Sequence, residues 1–208
     1  TAPVSTPPMS ATQQIAIARL SALGVIDAPS EAPRRLIVSV EGDEKTGKNH
    51  FAFTAPSPIF FISIDVGDEG VVEKFVRGTV PGIPAKFIKK KEIRFDKADK
   101  SKKQDYEKIW EDFKSTIRAF YEVGTGTVVI DTASEAWELL RLAKLGKLSN
   151  VLPHHYTECN TEFRELVRWA YDATGMNTGV SHKIKDKWVN NNRTGEKEMA
   201  GFGDMPFL

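Results

Sequence analysis

The chain has 208 residues, of which 40% are hydrophobic, and a formal net charge of +1. This length suits one domain with a sizeable core, and the balanced charge excludes a protein that binds nucleic acid through overall basicity. The one cysteine excludes an internal disulfide, and no apolar run reaches the roughly 18 residues of a membrane span. We therefore expect a cytoplasmic protein with no membrane partner.

The first 34 residues are predicted to form a flexible arm and a short helix. Residues 1–11 contain three prolines and no apolar period, and Thr12 to Leu23 fit a short helix that Gly24 closes. Residues 35–208 are predicted to form one α/β domain. Because the sequence stops at Leu208 without a capping or polar tail, we expect this domain to continue past it.

Residues 36–51 have the pattern of a strand, a glycine-bounded loop and the start of a helix. The loop matches the phosphate-binding pattern of Gly, four free residues and Gly-Lys, in which the backbone N–H groups surround phosphate oxygens and the lysine supplies a positive charge. These residues are predicted to bind the phosphates of a nucleotide: Gly42, Asp43, Glu44, Lys45, Thr46, Gly47, Lys48, Asn49 and His50.

Asn49 departs from the pattern, which has Ser or Thr at this position. An asparagine has no hydroxyl group, although its amide oxygen is a weak potential ligand for Mg²⁺. Asn49 therefore counts against metal binding and hydrolysis, whereas the glycines and Lys48 still predict nucleotide binding. Lys48 is the residue predicted to act on the terminal phosphates.

Two apolar runs end in carboxylates, as strands of a parallel sheet do near a ligand. Pro58 to Asp65 is the first, and Gly124 to Asp131 is the second. Asp131 is predicted to hold Mg²⁺ beside the phosphate loop, the alternative being an acid that caps the next helix. Asp65, Glu69 and Glu135 compete as the group that polarises an attacking water, and Glu135 is expected on a solvated helix turn.

The other elements follow from periodicity, with residues 71–95 expected to be irregular apart from a strand within 85–95. An amphipathic helix is predicted to contain Tyr106, Trp110, Phe113 and Ile117. Further predicted segments are helices at 134–145 and 162–173, a loop at 150–156, a strand at 176–182, and a hairpin or mobile loop at 183–204. Strands alternating with helices predict a mostly parallel sheet flanked by helices, in three layers.

Lysines gather at 86–103 and again at Lys183, Lys185 and Lys187. The first group is either a solvated edge or a contact strip for nucleic-acid phosphates. The second group alternates along an extended segment and would face one side, toward the chain's own nucleotide, a neighbouring subunit or DNA. His154, His155, Cys159 and His182 lack the spacing of a zinc site.

Taken together, these segments resemble the phage-encoded, RecA-like AAA-type ATPases associated with single-strand annealing and recombination. The resemblance covers residues 35–207 and includes the link from Thr54 to Pro58 and the polar Thr194-Gly195 segment. It implies a RecA-like P-loop fold, ATP and Mg²⁺ as cofactors, assembly into a ring or filament, and binding of single-stranded DNA by the mobile 183–203 region in the cytoplasm of an infected bacterium. It also implies Glu69, and then Asp65, as the catalytic base. For His182 it implies a residue that senses the terminal phosphate, and the alternative is a half-buried histidine whose hydrogen bonds are satisfied within the fold.

Two other function classes remain open. Asn49 is compatible with a structural or DNA-binding module that keeps the fold without catalysis. A P-loop phosphotransferase would need an arginine-bearing lid, whereas Arg141, Arg164 and Arg168 fall in predicted helices.

Overall fold

A computed structural model of the chain describes residues 10–25, 35–64, 68, 70–95, 103–146, 155–189 and 192–199. The chain divides into two compact units, Thr1–Pro33 and Arg34–Leu208. The described part of the first unit contains helix α1, Ala11–Ala22, close to the predicted bounds. Ser10 begins this helix with a capping box, because its hydroxyl accepts from the Gln13 backbone and the Gln13 side chain accepts from the Ser10 N–H. None of the α1 side chains is buried.

The second unit contains a sheet flanked by helices, as predicted. Its strands are β1 (Ile37–Gly42), β2 (Ile59–Ser63), β3 (Ile88–Glu92), β4 (Gly126–Asp131), β5 (Met176–Val189) and β6 (Asn192–Met199). Its helices are α2 (Lys48–Ala52), α3 (Val71–Arg77), α4 (Lys103–Glu122), α5 (Ala133–Leu145) and α6 (Tyr156–Asp172). Within the described ranges, none of the helices has the length and apolar character that a membrane span requires.

The strand order brings the predicted functional segments together at the same end of the parallel strands. The order is β1-β5-β4-β2-β3 with all neighbours parallel, and β6 pairs antiparallel with the end of β5. Gly42 at the end of β1 pairs with Lys183 of β5, and β4 lies on the other side of β5. The carboxyl ends of β1 and β4 therefore lie on either side of the middle of β5, where the phosphate loop begins.

The larger part of the core lies between the sheet and the helices α4, α5 and α6. Helix α4 buries Tyr106, Trp110, Phe113 and Ile117 at intervals of three and four, which is the stripe that the sequence predicted. Strands β2 and β4 are buried along their whole length, as expected for central strands covered on both faces. The predicted strands before the phosphate loop, at 58–65, within 85–95, at 124–131 and at 176–182 correspond to β1 to β5. The predicted helix that begins near Tyr106 and the helix at 134–145 correspond to α4 and α5.

The opposite face of the sheet is covered by the short helices α2 and α3. The residues 71–77 were expected to be irregular, and that expectation was wrong. Gly70 and Gly78 bound α3 with φ angles of 76° and 66°, and the helix buries a single side chain, Phe75. Two turns with one buried side chain give too little periodicity for a helix to be detected from the sequence.

Other predicted bounds need correction at the end of the chain. Helix α6 begins at Tyr156, six residues before the predicted start, so Tyr156 is not part of a loop; residues 150–154 lie outside the described ranges. Strand β5 runs to Val189 rather than ending at His182, and its second half pairs with β6. Of the two alternatives for residues 183–204, the described part is therefore a hairpin.

Candidate functional site

The phosphate loop connects β1 to α2 through a tightly curled backbone. Gly47, directly before α2, has a φ of 90°, which an L side chain rarely adopts. At Gly42 an added Cβ atom would lie 2.8 Å from the Thr46 Oγ1 atom, so a side chain there would collide with the loop. Thr46 closes the curl, since its hydroxyl donates to the Asp43 carbonyl oxygen over 2.8 Å.

The Lys48 ammonium group lies against the start of the loop. Its Nζ atom donates to the carbonyl oxygens of Gly42 and Asp43, at 2.8 Å and 2.6 Å. Asp43, Glu44, Lys45 and Thr46 are exposed around it. A mobile ammonium beside exposed loop residues is what binding of a phosphate group requires.

His50, the last residue in the predicted nucleotide-binding set, lies on the first turn of α2. Its ring is exposed and meets the edge of the Phe75 ring with the centroids 5.6 Å apart. This contact joins α2 to α3, so His50 supports the packing beneath the loop.

Asn49 and Asp131 are joined directly. The Asn49 amide nitrogen Nδ2 donates to Asp131 Oδ2 over 2.8 Å, and the Ser181 hydroxyl hydrogen-bonds to Asp131 Oδ1. Asp131 is only 4% exposed. The Asn49 Oδ1 atom is buried and, within the described part of the chain, has no hydrogen-bond partner. The sequence placed Asn49 and Asp131 at one site, and the structure brings them into contact.

The residues at this site fit phosphate better than they fit the predicted metal. The curled loop and Lys48 are suited to an anion. A magnesium ion held jointly by Asn49 and Asp131 would need two oxygen atoms facing it, whereas Asn49 presents a nitrogen donor to the carboxylate. No group of three His, Cys, Asp or Glu side chains suited to a metal ion occurs in the described ranges.

Thr132, rather than Asp131, caps helix α5. The Thr132 Oγ1 atom accepts from the Glu135 backbone N–H over 3.2 Å. Asp131 uses its two oxygens on Asn49 and Ser181 instead. The alternative interpretation of Asp131 as the helix-capping acid is therefore wrong.

Ser181 contributes to the site, whereas His182 lies within the core. Successive residues of a strand point to opposite faces, so Ser181 shares the face of Asp131 while His182 shares the face of Val180, which packs in the larger core cluster. His182 is fully buried, and this burial lowers its pKa to about 4. Its role as a phosphate sensor stays a prediction. The alternation of the strand was the signal that could have identified Ser181.

The low pKa of His182 predicts an acid-sensitive fold. Since the folded pKa of about 4 lies below the ordinary 6.5, the unfolded chain takes up the proton first, and stability falls as the pH drops from 6.5 toward 4. Between pH 7 and pH 5 we expect His182 to remove about 2 kcal/mol from the free energy of unfolding. Urea unfolding at both pH values tests this.

The control for that measurement is a second histidine. The His182→Phe variant should lose much less stability between the two pH values, whatever its stability at pH 7. His155→Gln is measured in the same way, because it removes a histidine that does not lie in the core. An unchanged pH dependence in His182→Phe would contradict the prediction.

Of the three acids predicted to polarise water, the structure describes only Glu135. Asp65 and Glu69 lie outside the described residues and stay predictions. Asp68, between them, is 3% exposed and pairs with Lys90 of β3 over 2.6 Å. Glu135 was expected on a solvated turn, but it is half-buried and accepts from Lys183 Nζ over 2.8 Å. The backbone of Lys183 pairs with that of Gly42 in the sheet, and its side chain extends to α5. The position of the Glu135 carboxylate is therefore fixed by this ion pair.

Several of the clustered lysines form ion pairs within the chain. At the β3 edge Lys90 pairs with Asp68, and Lys91 pairs with Asp112 at 3.0 Å. In the hairpin Lys187 pairs with Glu196 at 3.2 Å. Lys197, which lies outside the two predicted groups, has its Nζ atom 3.2 Å from Asp186 and 3.5 Å from the Asp43 carboxylate of the phosphate loop. These pairs are consistent with a charged, solvated edge strand, which protects the sheet from pairing with other chains.

The family follows from a comparison of the sequence with family models. The model described as "AAA domain" matches residues 34–201. The chain belongs to this AAA domain family. AAA domains of the P-loop ATPase class generally bind ATP with Mg²⁺. The three-layer α/β P-loop fold predicted from the sequence is confirmed.

A solved structure similar to this AAA domain comes from work described as the analysis of "a prototypical ATPase from the type III secretion system of pathogenic bacteria". The two chains share 11% identity with a TM-score of 0.47, and the match covers 74% of this chain and 46% of the other. The chain thus spans less than half the length of that ATPase. No curated protein matches the chain.

Proposed function

We propose that the chain is an ATP-binding P-loop protein that acts on single-stranded DNA in phage recombination, annealing or replication. The observation that carries the nucleotide part is the Lys48 ammonium beside the curled Gly42–Lys48 loop, next to the buried Asp131. Here the lysine hydrogen-bonds to two carbonyl oxygens, from which it can turn to a phosphate without changing the backbone.

Replacing Lys48 with alanine is expected to weaken ATP binding by about thirtyfold, because one charge-assisted contact with phosphate contributes about 2 kcal/mol. Isothermal titration of ATP into both proteins measures the difference. Lys89→Ala is the matched control, since Lys89 is an exposed lysine outside the loop and its loss removes the same charge. Equal affinities for Lys48→Ala and the wild type would remove the basis of the proposal.

The DNA part of the proposal rests on the resemblance described above and on the hairpin of β5 and β6. Strand β5 continues past the parallel sheet on the side where the phosphate loop lies, and this continuation pairs with β6 to form the hairpin. The hairpin carries Lys185 and Lys187. Contact between this hairpin and DNA phosphates would join DNA binding to the nucleotide site through Lys197 and Asp43.

Neutralising the two hairpin lysines is expected to reduce the salt dependence of single-stranded DNA binding. For Lys185→Ala/Lys187→Ala, the slope of log K against log salt concentration should become smaller by about 1.4, since each lost phosphate contact in single strands removes about 0.7. Fluorescence anisotropy with a labelled oligonucleotide measures the slope. Lys89→Ala/Lys91→Ala removes the same charge from the β3 edge and should leave the slope unchanged. The opposite result would assign the contact to the β3 edge.

Asn49 favours a second candidate function, in which the chain binds ATP without turning it over. The amide takes the position of the catalytic pattern's hydroxyl and bonds to Asp131 directly. Such a chain would use ATP to control assembly into a ring or filament. Sedimentation velocity with and without ATP tests that assembly, and phosphate release separates the two candidates.

A further inference from the structure

We propose that nucleotide binding by this chain does not require a divalent cation, because the Asn49 amide joins the loop to Asp131 where other P-loop proteins use a metal ion. The inference rests on the proposed nucleotide binding and concerns the cofactor of the same site. It starts from the contact between Asn49 Nδ2 and Asp131 Oδ2 at 2.8 Å.

The first step concerns the atom that Asn49 presents. An amide nitrogen has no lone pair available for a metal and acts only as a hydrogen-bond donor. Mg²⁺ requires oxygen ligands at about 2.0–2.1 Å in a nearly octahedral arrangement. A serine or threonine would place a hydroxyl oxygen close to the loop, whereas the longer asparagine reaches the carboxylate itself. The space between the loop and Asp131 is therefore bridged by the side chain.

The second step concerns the charge of Asp131. The carboxylate is buried, and it receives hydrogen bonds on both oxygens, from Asn49 of α2 and Ser181 of β5. Bonds from two donors to one carboxylate stabilise its negative charge within the protein. Asp131 consequently needs no cation to be stable in its buried position.

The third step concerns the phosphates, whose negative charge a metal normally offsets. Two ammonium groups meet at Asp43: Lys48 Nζ lies 2.6 Å from its carbonyl oxygen, and Lys197 Nζ lies 3.5 Å from its carboxylate. Both side chains are long and can turn toward an anion in the loop. The positive charge for phosphate binding is thus supplied by the chain.

Metal binding would require the Asn49 side-chain amide to rotate so that its oxygen and nitrogen atoms exchange positions. Its Oδ1 atom, which is buried without a hydrogen-bond partner among the described residues, would then face Asp131, and the two oxygens would repel each other unless a cation lay between them. The bond that must be broken first is a charge-assisted one, which weakens metal binding by roughly tenfold or more.

The test measures the affinity for an ATP analogue with an imido bridge between its β- and γ-phosphates, which prevents hydrolysis. Titrations are made in excess magnesium and in excess EDTA, on the wild type and on Asn49→Thr. The wild-type dissociation constants should agree within about threefold, and Asn49→Thr should bind about tenfold or more tightly with magnesium than with EDTA. Thermal unfolding of both proteins without nucleotide checks that the substitution leaves the fold intact.

The outcomes separate the inference from the function on which it rests. If the wild type binds the analogue at least tenfold more tightly with magnesium, the inference is overturned and the proposed function stands. If neither the wild type nor Asn49→Thr binds the analogue, with magnesium or with EDTA, the proposed function fails and the inference fails with it. Lys48→Ala should lose affinity equally in both buffers, which shows that the measured site is the phosphate loop.

Discussion

The Asn49→Thr variant is expected to hydrolyse ATP in the presence of magnesium at least about a hundredfold faster than the wild type. The substitution removes the amide that bonds to Asp131 Oδ2 and supplies the hydroxyl oxygen of the P-loop pattern. The carboxylate keeps its bond to Ser181, so its position should change little. Release of inorganic phosphate, followed with and without single-stranded DNA, measures the rate.

Two variants show whether the hydroxyl is responsible. Asn49→Ala removes the amide without adding an oxygen, and it should stay as slow as the wild type. Lys48→Ala/Asn49→Thr should also be inactive, because the loop would then lack its ammonium group. A wild type that already releases phosphate as fast as Asn49→Thr would refute the prediction and would identify Asn49 as a functional substitute for the hydroxyl.

The strands and long helices could be predicted because each depends on neighbours in the sequence. The apolar runs of β2 and β4 and the stripe of α4 are local patterns with strong period or composition. Helix α3 and the early start of α6 were missed, since the first buries one side chain and the first turn of the second shows no apolar stripe. The order of the strands in the sheet could not be predicted from local sequence patterns, because it depends on how the helices pack against the sheet.

The site was predictable in its motif and less so in its contacts. The loop residues Gly42 to Lys48 were predicted from a sequence motif, and Asp131 was predicted from its position at the end of an apolar run. The bond between Asn49 and Asp131 joins residues 82 positions apart, and the orientation of the amide depends on a three-dimensional arrangement. The sequence did not single out Ser181, because a strand of unknown pairing does not reveal which of its side chains face Asp131.

A second group of contacts joins the three helices on the larger core face. Glu162 of α6 is 14% exposed and accepts hydrogen bonds from Trp110 Nε1 and Lys114 Nζ of α4, at 2.6 Å and 2.7 Å. Its other oxygen lies 2.7 Å from Lys144 Nζ of α5. Burial alone would raise the pKa of Glu162, but the bonds from Lys114, Lys144 and Trp110 outweigh it and lower the pKa to about 2. The carboxylate therefore connects helices that are separate in the sequence.

Replacing Glu162 with glutamine is expected to lower the free energy of unfolding by about 3 kcal/mol at pH 7. The folded pKa of about 2 lies below the ordinary 4.5, so the stabilisation is complete above pH 4.5 and is lost as the pH falls toward 2. The difference between the wild type and Glu162→Gln should thus shrink to about 1.5 kcal/mol at pH 3. Urea unfolding followed by tryptophan fluorescence gives both values.

Glu158 provides the matched control, because it pairs with the same Lys144 over 2.9 Å but is 72% exposed. An exposed pair contributes little, so Glu158→Gln should cost less than about 1 kcal/mol at pH 7. If the two variants destabilise the chain equally, the effect comes from the charge of Lys144 in general. A large loss confined to Glu162→Gln, and diminishing in acid, would establish that the buried carboxylate holds α4, α5 and α6 together against the sheet.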